Sequence, residues 1–323
     1  MGSRRYLLRK LGQALATLAF VLAFNFFLFR IMPGDPVRLI ARSNIHLTQA
    51  EQKELAAEFG LTDPAPQQFV NYVGDTLRGE LGLSFTNARP VTTVIAERIW
   101  PTVLLVGLST FLAVAFGLLI GIRGGWRRGS GFDKTSLFGS LVLYSAPEGW
   151  LGMVFLIVFA GTLAWFPTGG YESPEHLTGL AHWTDVLNHL FLPALTLTLG
   201  YIGQYAVVMR SSLMEVMGEE FVNTAHAKGL HDKLVRRRHA VPNALLPTLS
   251  LVFYEFGFVL GGSIIIEAVY SWPGLGLLTY RAISDLDYPI IQGIFLLFSA
   301  AVIVFNLAAD ILYGYLDPRV REA

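Results

Sequence analysis

The sequence predicts an all-α integral membrane protein, a bundle of about six transmembrane helices with both termini on the cytoplasmic side. Three observations carry this. The chain is 53% hydrophobic and only 15% charged, with a mean hydropathy of +0.50, too apolar for an ordinary soluble domain. Its apolar residues gather into runs of roughly the 20 residues that a membrane-crossing helix needs. Its Lys and Arg residues alternate between dense and sparse connecting segments, as retention of positive charge on the inner side requires.

Four charge-free runs mark spans at Leu11 to Phe29, Thr102 to Ile122, Leu190 to Met209 and Ile290 to Ala309. Two further runs each contain one acid: Thr135 to about Phe166 with Glu148, and Ala244 to Ile266 with Glu255. The first span follows Arg4, Arg5, Arg9 and Lys10, as in a signal peptide, but it is too long and lacks a small-residue cleavage site. With the N-terminus inside, sixteen of the 24 basic residues fall on inner segments, whereas Gly161 to His189 has none. The chain therefore divides into residues 1–31 (N-terminus and first span), an extracytoplasmic cap at 32–100, and a core at 101–323 holding the long basic inner segment 210–243.

The cap reads as folded. Thr48 and Glu51 have capping-box spacing ahead of a helical run that ends at Gly60, and Phe69, Val70, Val73 and Leu77 share one face of a second helix after Pro66. Such a cap either holds an external partner or shields the outer helix ends.

Composition also excludes function classes. The chain has no cysteine, hence no disulfide, thiolate metal site or cysteine nucleophile. Its formal net charge of zero offers nucleic acid no basic surplus, and the lipid bilayer is the partner that composition demands. No Gly-x-x-x-x-Gly-Lys-Ser/Thr phosphate loop occurs, so the chain is expected not to hydrolyse ATP by itself. The histidines show no metal-ligand spacing on one helix face, and no catalytic or metal site is expected. Asp310, near the inner end of the last span, is expected to pair with a basic inner segment.

Segment 210–243 is patterned as two short helices around Gly229. Its residues Asn223-Thr224-Ala225-His226-Ala227-Lys228-Gly229-Leu230, followed by Pro242-Asn243, resemble the EAA loop of ABC importer permeases. Gly229 matches the motif glycine, and Pro242 its terminal proline. Met32-Pro33-Gly34-Asp35-Pro36, Gly79-Glu80-Leu81-Gly82, Arg98-Ile99-Trp100-Pro101-Thr102, Ser271-Trp272-Pro273-Gly274 and Leu316-Asp317-Pro318-Arg319 extend the resemblance along the chain, toward the dipeptide, oligopeptide and nickel branch. Two positions depart from it: Asn223 stands where the general motif has an acid, and Pro242 where the peptide branch usually has a basic residue.

The resemblance implies a permease subunit that forms half of a translocation pathway for peptides, with nickel, haem or oligosaccharide as alternative cargo. It implies a second homologous permease, one or two ATPase subunits that bind ATP and Mg, and an extracytoplasmic binding protein. The loop around Gly229 is then the ATPase-docking element, and Trp272, Pro273 and Gly274 lie in an outer loop or gate. Glu148 and Glu255, measured along straight helices, approach the midplane and are candidates for the pathway. A secondary transporter using Glu148, Glu255 and Asp310 as a proton relay is the rival reading, but no internal repeat supports it.

Overall fold

The computed structural model describes residues 2–31, 63–175, 177–259 and 263–316, without the side chains of 2–7, 30–31, 246, 250, 253–258 and 312–316. The described residues are mostly helical, with irregular connections, the longest at 163–175 and 177–179, and one isolated antiparallel bridge between Leu83 and Pro90. Four of these helices are long and apolar enough to cross a membrane, and a bent pair makes a fifth candidate. The run beginning at Ala244 corresponds to the helix Val241–Val259, beyond which residues 260–262 lie outside the described residues.

The chain forms two compact units, residues 1–100 with 274–323, and residues 101–273. In the first unit, helix α1 (Gly2–Ile31) packs along the last helix, α12 (Tyr288–Leu316). Lys10 Nζ lies 2.8 Å from Asp310, the partner expected of that acid. The cap run that ends at Gly60 lies outside the described residues, but the helix expected after it is present as α2 (Ala65–Arg78). Its inward face is the expected one only at Phe69 and Val73. Phe69 and Tyr72 meet Phe26 of α1, while Val70 and Leu77 are 63% and 74% exposed. The aromatic pair claims the contact because rings bury the most area per residue. The following turn is fastened by Asp287, whose carboxylate accepts from Ser84 Oγ and from the backbone N–H groups of Phe85 and Thr86. Helix α11 (Leu275–Asp285) completes this unit, with Leu275, Ala282, Ile290 and Ile294 in its core.

The second unit takes over from the first inside helix α3 (Val91–Trp126), at Pro101. A stripe of α3 glycines, Gly117, Gly121 and Gly125, seats Tyr205, Met209 and Leu213 of the long helix α6 (Leu180–Val216); a Cβ on Gly117 would lie 2.6 Å from that of Tyr205. Close backbone approach of this kind drives helix association where lipid removes the hydrophobic incentive.

The run from Thr135 to Phe166 is not one straight span, which corrects the sequence reading. Helix α4 (Gly131–Ser145) stops, the chain bends by 96°, and α5 (Glu148–Phe155) continues into a π-helical stretch at Leu156–Thr162. Pro147 is the cause. Its ring disfavours helical backbone at Ala146, which is extended at φ −74 and ψ 129, and its missing N–H removes a helix bond. Glu148 therefore sits in the first turn of a new helix, and its depth along a straight span has no meaning.

Candidate functional site

Segment 210–243 has the two-helix form expected of it. After α6 ends at Val216, α7 (Glu220–Ala227) runs for two turns, then α8 (Asp232–Val235) and a π-helical turn, Arg236–Ala240, lead into α9 (Val241–Val259). Val222 and Ala225, three apart on α7, are buried with Val235 against Trp126, Val216 and Leu230. The opposite face is left exposed, and it carries Asn223, Thr224, Ala227 and Lys228. A short helix of low intrinsic stability is held here by one apolar stripe and presents the rest of its surface outward.

Gly229 ends α7 in the left-handed region, at φ +81. Its N–H donates to His226 O at 2.8 Å and the Leu230 N–H to Ala225 O at 3.3 Å, the paired bonds of a Schellman turn. Leu230 completes the turn by packing into the same cluster as Ala225. Space does not demand glycine, since an added Cβ would meet nothing within 4 Å; backbone conformation does. Pro242 and Asn243 open α9, both exposed, and Asn243 Nδ2 donates to His239 O at 2.6 Å.

The base beneath these helices is tightly fixed. Met209, Leu213, Ala240 and Ala244 form a buried cluster with Leu118, Ile122 and Trp126, and Ser212 Oγ donates to Ala244 O at 2.8 Å. At the first residue of the segment, the Arg210 guanidinium donates bidentately to Asp133, Nε to Oδ1 at 2.5 Å and Nη2 to Oδ2 at 2.9 Å. The Gly129 N–H donates to Asp133 as well. Sequence reasoning counted Arg210 only as an inner positive charge and passed over Asp133. The one available signal was Ser130, an N-cap that places Asp133 in a helical first turn.

The exposed rim mixes Lys228, Lys233, Arg237 and Arg238 with Glu219, Glu220 and Asp232, and Arg236 stands 5.8 Å over the Trp126 ring. Among the described residues no group of three or more His, Cys, Asp and Glu is arranged to hold a metal. The rim is a shaped edge on which charges of both signs are exposed.

The remaining candidates stand apart from this surface. Glu148 is half-buried against α6, where a Cβ on Gly200 would lie 3.3 Å from its Cγ. The Glu255 side chain lies outside the described residues. Trp272 is fully buried, its indole N–H donating to Pro101 O at 2.9 Å and its ring 5.1 Å from Tyr171. Pro273 closes the second unit, and Gly274 precedes the first turn of α11 in the first unit. Glu267 through Tyr270, read from the sequence as part of the outer loop, instead begin in a short helix, α10 (Ile264–Val269), with buried polar contacts: Thr102 Oγ1 donates to Glu267 at 2.9 Å, and Tyr270 Oη donates to Gly152 O and contacts Thr196 Oγ1, each at 3.0 Å.

Comparison with known proteins gives the family and the fold. Residues 113–322 match the model of the binding-protein-dependent transport system inner membrane component, and residues 3–106 match that of its N-terminal region. The chain is 36% identical over 318 residues to a Brucella suis biovar 1 protein named peptide permease, covering 98% of this chain and 99% of that one. It is 36% identical over 317 residues to the glutathione transport system permease protein GsiC of Escherichia coli O6:H1, covering 98% of each. The fold resembles inward-facing structures of the MetNI methionine ABC transporter, with a TM-score of 0.55 at 17% identity over 69% of this chain and 96% of the other. With full-length relatives, a matching family model and a helical architecture suited to the bilayer, the chain belongs to the binding-protein-dependent transport system inner membrane components, as a multi-pass permease subunit of an ABC importer.

Proposed function

We propose that this permease sits in the plasma membrane of its cell with both termini inside, pairs with a second homologous permease, and imports peptides delivered by an extracytoplasmic binding protein. ATP and Mg are bound and turned over by separate ATPase subunits. Those subunits dock on the exposed face of α7 and on the turn at Gly229, so that their closure reorients the pathway. The observation that carries this reading is the Schellman turn at Gly229, which ends a helix with an exposed polar face on a packed base. Peptide is favoured as cargo because the full-length relatives are named as permeases for peptide and for glutathione. Residues 32–100 are the surface offered to the binding protein, and Trp272, Pro273 and Gly274 belong to the outer loop beside the pathway.

In this reading Glu148 and Glu255 give the pathway an anionic waypoint that attracts a peptide's ammonium end or basic side chains. An ionised carboxylate facing lipid would cost about 2.5 kcal/mol or more, so each must meet protein or water. The function is tested by reconstituting the two permeases and the ATPases in proteoliposomes and adding binding protein with labelled glutathione or trialanine. Uptake that requires both ATP and binding protein is expected, and uptake driven by a proton gradient without ATP would overturn the reading. In the same assay, Glu148→Gln with Glu255→Gln is expected to slow uptake of a lysine-containing peptide more than that of trialanine. Equal rates in wild type and double variant would remove both acids from the pathway.

A further inference from the structure

The first residue of segment 210–243 meets helix α4 through a buried ion pair. That residue, Arg210, is 17% exposed in its side chain, and Asp133 of α4 only 3%. The two are joined by paired bonds, and Asp133 is held from behind by the Gly129 N–H, while its own N–H donates to Ser130 Oγ. Gly124 of α3 leaves room at this point, since a Cβ there would lie 3.2 Å from Asp133 Oδ1. At the same level Ser212 is tied to Ala244, so both ends of segment 210–243 are anchored within one turn of α6. Helix α4 then runs from Asp133 to the break at Ala146 and Pro147, and Glu148 follows directly.

We propose that the Asp133–Arg210 pair is the positioning link that makes α4 follow the coupling segment as one rigid piece, carrying its displacement to the broken helix pair and to Glu148. This rests on the docking role assigned to the segment above. A bidentate guanidinium–carboxylate contact suits the task because it fixes distance and angle together, where a single contact leaves rotation free. Burial keeps it unscreened.

The test uses the complete transporter and exploits the absence of cysteine from the chain. Spin labels at Phe138→Cys on α4 and Glu215→Cys on α6, both exposed positions, report the separation of α4 from the head of the segment. In wild type one distance is expected, unchanged between the nucleotide-free and the ATP–vanadate-trapped states. In Asp133→Asn and Arg210→Gln a second or broadened distance is expected in the trapped state, with Arg210→Lys closer to wild type. Uptake of glutathione or trialanine per ATP hydrolysed is expected to fall about tenfold in the first two variants, within the usual range of coupling energies. A merely structural role would lower the yield of assembled complex and leave that ratio unchanged.

Three results would overturn the proposal: the same single distance in the variants, a nucleotide-dependent shift already present in wild type, or activity falling only in proportion to assembled complex. The distance measurement needs no knowledge of the cargo. If the wild-type chain retains no ATPase subunits, the docking role itself fails, an outcome separate from the other three.

Discussion

Two short helices of the same unit, α7 in segment 210–243 and α10 ahead of Trp272, show opposite uses of a similar length of chain. Helix α7 buries only Val222 and Ala225 and leaves its polar residues exposed. Around α10, Ile266, Glu267, Tyr270 and Trp272 are all nearly or fully buried, and their polar atoms bond to α3, α5 and α6. A helix held by one apolar stripe keeps a face free for another protein. A helix wedged among three others leaves only the apolar Ile264 and Ile265 exposed, and its polar groups instead fix how those helices sit. Stability is therefore expected to be concentrated at α10 and partner recognition at α7.

Substitutions sharpen this contrast, from the largest effect to the smallest. Trp272→Ala removes a fully buried ring and the bond to Pro101, so it is expected to destabilise the chain by about 3–5 kcal/mol, seen as a large fall in Tm in detergent. A small change in Tm would break the comparison on the α10 side. Ala225→Leu overfills the seat of α7 at an expected cost of about 1–3 kcal/mol, and it tilts the docking face enough to weaken ATPase retention as well. Tyr270→Phe keeps the ring and removes only the hydroxyl, at an expected cost of about 0.6 kcal/mol, the average for hydrogen bonds between membrane helices, and no more than about 1.7 kcal/mol. Lys228→Ala on the exposed face is expected to leave stability within about 0.5 kcal/mol while lowering affinity for the ATPase. Equal retention of ATPase by wild type and Lys228→Ala would remove that side chain from the docking rim.

Features with a local period were legible in the sequence, and features made by distant pairs were not. The run at Leu11 to Phe29, the helix after Pro66 and the glycine turn at residue 229 each follow from residues within a turn or two of one another. Asp133 and Arg210 are 77 positions apart, and Thr102 and Glu267 are 165 apart, so no window contains either pair. The break at Pro147 was misread for a different reason. Pro101, Pro193 and Pro247 all sit inside continuous helices here, so a proline in an apolar run does not by itself distinguish a tolerated kink from a 96° bend. The side chains packed around it decide, and hydropathy carries no information about them. For α2 the period was right and the face half right: Phe69 and Val73 turn inward as expected, but Tyr72 joins them against Phe26 of α1, a partner the pattern could not foresee, and Val70 and Leu77 stay exposed.

The turn at Gly229 is expected to shape the surface on which the proposed ATPase subunits dock. A β-branched residue at φ +81 strains the backbone without meeting any neighbour, so Gly229→Val acts on the turn and not on the packing beneath it. Co-purification of ATPase subunits with wild type and with Gly229→Val, from membranes containing equal amounts of each permease, measures this directly. The account predicts full insertion of both and about a tenfold or greater loss of ATPase from the variant, the equivalent of the roughly 1.4 kcal/mol or more that such strain imposes. Equal co-purification, with transport undiminished, would contradict it.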